Sequence, residues 1–174
     1  MLARKKNKRN MKFIVDRMYY RLAKWLRILG YDTLFDQDFT DEDYLLRAAK
    51  EKRILITRDE NLKQKAKKAG ILTITVDAPT IEERLILLHQ FTGIKLHLPT
   101  RSLPRCTVCN APIKVVSKRK ITDQLKPQTR ATYTKFWQCK NPNCRQIYWK
   151  GPHWKEMAQM LEFCRKSLNI EKDT

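Results

Sequence analysis

Phe13-Ile14-Val15-Asp16-Arg17-Met18 and Arg53-Ile54-Leu55-Ile56-Thr57-Arg58-Asp59 share one plan: three apolar residues in a row, then an acid and an arginine within the next three positions. An unbroken apolar run without alternation is the mark of a strand covered on both faces, as in a parallel sheet between helices. Working outward, a helical pattern over residues 17–29 places Met18, Leu22, Trp25, Leu26 and Leu29 on an apolar stripe. Arg17, Arg21 and Lys24 fall on the opposite face. Gly30 follows where a left-handed cap is needed, and Gly70 does the same after a third helix that runs to about residue 69. Strands over 12–15, 33–35, 53–57 and 71–76 alternate with helices over 17–29, 41–50, to about 69, and 80–91, and Asp41 is placed to cap the second. This βαβα order predicts an α/β fold with a doubly wound parallel sheet.

The pattern changes at Leu98-Pro99-Thr100-Arg101-Ser102-Leu103-Pro104, where two prolines end the helical periodicity. The expected division is a basic tail over 1–10, an α/β domain over 11–98, a small metal-stapled domain over 99–152 and a C-terminal helix and tail over 153–174. Charge follows the same division. Of the 174 residues, 37 are Lys or Arg and 18 Asp or Glu, a formal net charge of +19. Residues 1–10 carry +5, residues 11–100 only +3, residues 101–150 carry +11, and the rest are balanced. So local an excess fits a polyanion, nucleic acid before an anionic membrane surface. A hydrophobic fraction of 42% excludes wholesale disorder. No run approaches the roughly 20 apolar residues of a membrane span, so a soluble, cytoplasmic protein without membrane association is expected.

Right-handed crossovers put all the carboxyl ends of a parallel sheet on one rim, where ligands bind. Asp16 ends the first strand, Asp59 follows the third, Asp77 ends the fourth, and Asp41 opens the helix after the second. Clustered carboxylates repel one another unless a cation compensates, and hard oxygen ligands suit Mg²⁺ or Mn²⁺. Metal-assisted phosphodiester hydrolysis is the chemistry such a set permits. The plainer reading is that these acids only cap helices, and Thr40-Asp41-Glu42-Asp43 is a good capping sequence in its own right. Arg17, Arg21, Lys24 and Arg58 are the candidate phosphate contacts beside the acids, or simply a solvated helix face.

Cys106-Thr107-Val108-Cys109 and Cys139-Lys140-Asn141-Pro142-Asn143-Cys144 form two short-spaced pairs. Two such knuckles supply the four thiolates of a closed, structural Zn²⁺ site, with disulfides or free thiols as the alternative. Strands are expected near 113–116, 132–138 and 146–149. Cys164, inside a pattern of Trp154, Met157, Ala158, Leu161 and Leu168, reads as a buried thiol rather than a fifth ligand. Tyr133, Phe136, Trp137, Tyr148 and Trp149 interleave with cations, a composition suited to single-stranded RNA as well as to packing a small core. Lys118, Arg119, Lys120, Arg130 and Trp149 are the candidate RNA contacts here. His153 is either a phosphate donor, a metal ligand or a satisfied loop imidazole.

The two opening motifs, with Arg21-Leu22-Ala23-Lys24-Trp25-Leu26-Arg27, Gly30-Tyr31-Asp32-Thr33, the first cysteine pair and Tyr148-Trp149-Lys150-Gly151-Pro152-His153, resemble the Mut-seven C-terminal ribonuclease family, a branch of the PIN-like nucleases. The resemblance covers about residues 11–160. It implies a PIN-like α/β domain fused to a zinc ribbon, RNA as substrate and Mg²⁺ or Mn²⁺ held by acids. Asp16 and Asp59 correspond well to the family's acidic positions and Asp41 to the acid opening the second helix; Asp77 and Asp43 correspond less closely. The sequence departs from the family's pattern in the wider second cysteine pair and in the basic start from Arg4 to Arg9. A metal-dependent ribonuclease is the first expectation. A non-catalytic RNA- or ribosome-binding protein is the second, and a zinc-ribbon DNA-binding regulator the third.

Overall fold

The computed structural model describes residues 11–99 and 104–170; the basic tail over 1–10 and part of the proline-flanked segment lie outside them. The first half runs β1 (Lys12–Val15), a 3₁₀ turn (Arg17–Tyr19), α1 (Tyr20–Ile28), β2 (Asp32–Leu34), α2 (Asp41–Glu51), β3 (Ile54–Ile56), α3 (Glu60–Lys68), β4 (Thr73–Ile74) and α4 (Ile81–Thr92). The second half contains β5 (Ile113–Val116), two 3₁₀ turns (Lys118–Lys120 and Thr122–Gln124), α5 (Pro127–Thr132), β6 (Phe136–Cys139), β7 (Ile147–Tyr148) and α6 (Pro152–Ser167).

The four strands of the first sheet are parallel, in the order β2-β1-β3-β4. Successive side chains of a strand point to opposite faces, and both faces are used. Phe13, Val15 and Ile56 pack with Leu22, Leu26, Leu85 and Leu88 of α1 and α4, whereas Ile14 and Leu55 pack with Tyr44, Ala48, Leu62 and Ala66 of α2 and α3. Complete burial of Phe13, Ile14 and Val15 follows from this double cover. Because the chain leaves β1 in one direction to form β2 and in the other to form β3, the order reverses between β1 and β3. That reversal is where open α/β sheets bind ligands.

Helix ends feed the strands. After α1 the Tyr31 N–H donates to the Leu26 carbonyl (2.9 Å) and the Gly30 N–H to that of Arg27 (3.1 Å), with Gly30 at φ 92°. This paired arrangement recurs after α3 around Gly70, φ 68°. After α2 the same left-handed position is held by Lys52, φ 53°.

Some local expectations need correction. The cap of α2 is Thr40, whose hydroxyl accepts from the Asp43 N–H (3.2 Å) while Asp43 accepts from the Thr40 N–H (3.1 Å); Asp41 is the first residue inside the helix. Met18 leaves the apolar stripe and is 42% exposed, because the chain there is a 3₁₀ turn rather than α-helix. The fourth strand is only two residues long, and Leu72 beside it is exposed, as befits the sheet edge. In the second half, α5 and the 3₁₀ turns occupy a stretch for which no element was expected, and the strand expected from about 132 begins at Phe136.

Three antiparallel strands in the order β5-β6-β7 form the second sheet. Helix α6 packs on α4, and its Leu161 and Cys164 belong to the core that includes Phe13 and Val15. Cys164 is thus the buried thiol expected, with burial pushing its pKa up to about 11. His153 lies on the first turn of α6, not in a loop, with Nδ1 3.1 Å from Glu156. Among the described residues no helix is long and apolar enough to cross a membrane.

A polar seam ties the cysteine segment to β2. Arg27, 3% exposed, donates from Nε to the Thr33 carbonyl (2.9 Å) and from Nη1 to the carbonyls of Thr107 (2.9 Å) and Val108 (3.1 Å). Asn110 Oδ1 accepts from the Thr33 N–H (3.0 Å), and Asn110 Nδ2 donates to Asp32 (2.8 Å). Asp32 also meets Arg53 at 2.7 Å and Arg105 at 3.0 Å. Burial raises the Asp32 carboxyl pKa, but the hydrogen bonds from Arg53 and Asn110 and the charges of Arg53 and Arg105 outweigh it, so the net shift is downward.

A carboxylate depressed on folding stabilises above its unfolded pKa of about 3.9 and loses that contribution as pH falls through the folded value. Asp32→Ala, which strips the buried Arg53 of a partner, should lower stability at pH 7 by roughly 3 kcal/mol. In urea denaturation, the gap between wild type and Asp32→Asn should narrow below about pH 4. A gap that stays constant from pH 7 to 3 would show that the Asp32 charge contributes nothing.

Candidate functional site

The four cysteines converge although 29 residues separate the pairs. β6 ends on Cys139, Cys106 lies just before the turn that returns to β5, and Cys109 and Cys144 close the two loops. Their sulfurs all lie within 4.8 Å of one another, with Cys106–Cys144 at 3.7 Å and Cys109–Cys139 at 3.4 Å. A tetrahedral Zn²⁺ with Zn–S near 2.3 Å needs sulfur separations of about 3.8 Å, so the donor set and its spacing fit the ion. Asn110, which follows the first pair at φ 65°, is a residue that tolerates the left-handed turn there. The wider Cys139-to-Cys144 loop is held by Asn141, whose carbonyl accepts from Cys144 (3.1 Å) and Arg145 (3.0 Å). Tyr148 supports the cluster, its hydroxyl 3.1 Å from Cys106 Sγ and accepting from the Thr107 N–H (3.0 Å). Burial raises the Cys106 thiol, but the hydrogen bonds of Tyr148 and of the Cys109 and Val108 backbone prevail and bring it down to about 7. That favours the thiolate a metal requires.

The acids behave differently. Asp16, 4% exposed, sits at the end of β1, and its Oδ2 accepts from the Thr57 hydroxyl at 2.6 Å. Thr57 Oγ1 in turn accepts from the Asp59 N–H at 3.0 Å. One hydroxyl at the β1/β3 reversal therefore joins the two strand-end acids. Asp59 caps α3 through its Oδ1, which accepts from the Leu62 N–H (2.9 Å), so the capping role anticipated for such residues is real. Asp41 is brought toward α3 by Lys65 at 2.9 Å, and the Asp41 hydrogen bond, with the charges of Asp41, Glu42 and Asp59, raises the Lys65 pKa. Asp77 is exposed beside Tyr19, whose hydroxyl pKa rises chiefly by burial and secondly through the Asp77 charge. Tyr44, under Asp16, is pushed up to about 12 by burial and then by that carboxylate. Among the described residues, the cysteines are the only group of three or more ligating side chains drawn to metal-binding range.

Of the basic candidates, Arg17, Arg21 and Arg58 are exposed, Arg58 Nε lying 3.1 Å from Met18 Sδ, and Lys24 Nζ sits 4.2 Å over the Tyr20 ring. Lys118, Arg119 and Lys120 form one 3₁₀ turn, Arg130 lies exposed on α5, and Trp149 is 40% exposed beside Tyr133 and Phe136. Sequence reasoning missed Thr57, Lys65, Arg27 and Asn110. Only Asn110 carried a local signal, as an asparagine where a knuckle must turn.

The fold and centre define an α/β protein with a parallel four-stranded sheet flanked by helices and a four-cysteine cluster able to bind a metal such as zinc. The chain belongs to the Mut7-C RNAse domain family, whose model matches residues 11–161. Membership implies an RNA substrate and a ribonuclease-type function. No curated protein and no solved structure matches the chain.

Elemental analysis of protein purified without chelator should find one zinc per chain, and Cys106→Ser or Cys139→Ser should abolish it. Removing the metal should also lower the melting temperature, because metal binding is folding energy in so small a sheet. Metal-free protein that melts as the loaded form does would remove the structural role.

Proposed function

We propose that the protein is a metal-dependent ribonuclease on a PIN-like scaffold, hydrolysing RNA phosphodiester bonds at the carboxyl rim of its parallel sheet. A basic zinc ribbon formed by β5, β6 and β7 captures the RNA. The observation that carries this reading is the bridge from Asp16 through Thr57 to Asp59 at the reversal of strand order. Asp16 is buried, and among the described residues no cationic side chain pairs with it. An unpaired buried carboxylate is costly, and a divalent cation is the natural compensation.

Asp16, Asp59 and Asp41 would hold Mg²⁺ or Mn²⁺, ions that suit an all-oxygen donor set. When bound, such an ion supplies Lewis-acid polarisation of the phosphoryl oxygen and neutralises charge at the reacting phosphorus. The remaining work falls to the chain. Thr57 fixes the Asp16 carboxylate by a short hydrogen bond and, through the Asp59 N–H, sets the start of α3. Arg17 and Arg21, exposed on successive turns next to Asp16, orient the phosphate by donating N–H bonds to its free oxygens. Asp77 assists from the loop three residues past β4. In the reaction a water oxygen forms the new bond to phosphorus and gives up a proton, the bridging P–O ester bond breaks, and the departing oxygen takes up a proton.

End-labelled structured and single-stranded RNAs, incubated with zinc-loaded protein and Mn²⁺ or Mg²⁺, should be cleaved. Asp16→Asn and Asp59→Asn should each lower the rate by roughly 100-fold or more, with unchanged zinc content and little change in melting temperature. Cleavage that survives the double variant, or that proceeds equally without added metal, would overturn the proposal.

A further inference from the structure

On the second sheet an open groove of about 930 Å³ lies against β5 and β6. Sites for small molecules and cofactors run from about 300 to 1,000 Å³, so the volume suits a nucleotide or two. Its floor is apolar. Val115 and Trp137 are register partners across β5 and β6, and Val115 is 71% exposed. The next pair, Val116 and Phe136, faces the small core around Ile121 and Leu125. Trp137 is half-buried and packs in part against the cysteine cluster, which leaves Val115 as the open apolar position beside it.

The walls are cationic. Lys118, Arg119 and Lys135 line the groove, and no acidic side chain does. Lys150 lies 5.9 Å over the Trp137 ring and 5.0 Å over that of Trp154, adding a fourth cation beside the floor. The 3₁₀ turn over Lys118–Lys120 forces three consecutive cations into one short arc. Such a set would repel itself in the absence of an anion.

From this pairing of an exposed valine and a half-buried tryptophan with cations that no lining acid opposes we infer that the groove seats unpaired nucleotides of an RNA strand. Bases lie against Val115 and Trp137, and phosphates meet Lys118, Arg119 and Lys135. Only unpaired bases present a π-face to such a floor; a duplex offers its backbone alone. The inference rests on the ribonuclease reading for its choice of RNA and names the strand state that the captured substrate must have.

The test is fluorescence anisotropy of a labelled single-stranded oligouridylate of about 12 nucleotides, against an RNA hairpin of equal length. Zinc-loaded protein is used without added Mg²⁺ or Mn²⁺, so that both RNAs stay intact. Single-stranded RNA should bind more tightly. Combined Lys118→Ala, Arg119→Ala and Lys135→Ala should weaken it at least tenfold and reduce the salt slope by about 2, the expectation for three phosphate contacts to a single strand. Trp137→Phe should retain most of the affinity and Trp137→Ala should lose roughly 5- to 150-fold. Should Trp137→Ala fail to retain zinc, Val115→Glu carries the test from an exposed position and should lose about tenfold. Wild-type affinity in Val115→Glu and in the triple variant, equal binding of the hairpin, or displacement by polyaspartate as effectively as by RNA would each overturn the inference. Metal-dependent cleavage with unaltered binding by the groove variants removes the groove alone. Groove-dependent binding without cleavage in any metal removes the nuclease reading and leaves the groove.

Discussion

Arg27 is the contact on which the arrangement of the two sheets depends. It is a buried cation between an edge strand and a metal loop. β2 lies at the edge of the parallel sheet, so Thr33 has a backbone N–H and C=O with no strand to receive them. An open edge is both an energetic cost and a site for unwanted pairing. Here Arg27 satisfies the carbonyl, Asn110 satisfies the N–H, and both are held by the loop that carries Cys106 and Cys109. Asp32, at the start of the same strand, gathers Arg53, Arg105 and Asn110 around one carboxylate. Burial pulls the Arg27 pKa down, while the negative charge of Cys106 and Cys109 opposes the fall. Four thiolates around one Zn²⁺ would leave excess negative charge, and the guanidinium that closes the sheet edge would balance it. Loss of the metal would weaken the small sheet and the cover of the larger one together.

The alternation of strands and helices in the first half was legible because each element carries its own signal. Apolar triplets define the buried strands and glycines at 30 and 70 mark the helix ends, whereas the α2 cap was read one residue late, at Asp41 instead of Thr40. The four-cysteine cluster was equally legible, since chelation would dictate such a spacing. What escaped was long-range. Arg27 looks like one more member of a basic helix face, and nothing within its own turn reveals that its partners stand 80 and 81 residues away. Lys65 is similarly lost among Lys63, Lys67 and Lys68, and only the packing of α2 beside α3 singles it out. The segment from Lys118 to Thr132 is too polar and short-period to announce its turns, so α5 was invisible.

The acidic rim and the basic ribbon divide two tasks that conflict electrostatically. In the proposed nuclease, phosphates would be drawn by the +11 of residues 101–150, where cations face few acids. At the rim, carboxylates repel the same phosphates, and Arg17, Arg21 and Arg58 offset that repulsion only partly because they are exposed and screened. A nuclease on this plan therefore gains affinity at a distance from its chemistry, and binding and cleavage respond to different residues.

Within the proposed site, the acids also differ in how firmly they are held. Asp16 is buried and locked by a 2.6 Å bond from Thr57, whereas Asp41 is partly exposed and paired with the exposed Lys65. An exposed ion pair contributes about 0–1 kcal/mol, so exchanging the Lys65 ammonium for a divalent ion costs little. Asp16 has no such ion-pair partner and is held by Thr57. A fixed carboxylate together with a releasable one would let a cation bind without reorganising the sheet. Lys65 ties α2 to α3 at the releasable one.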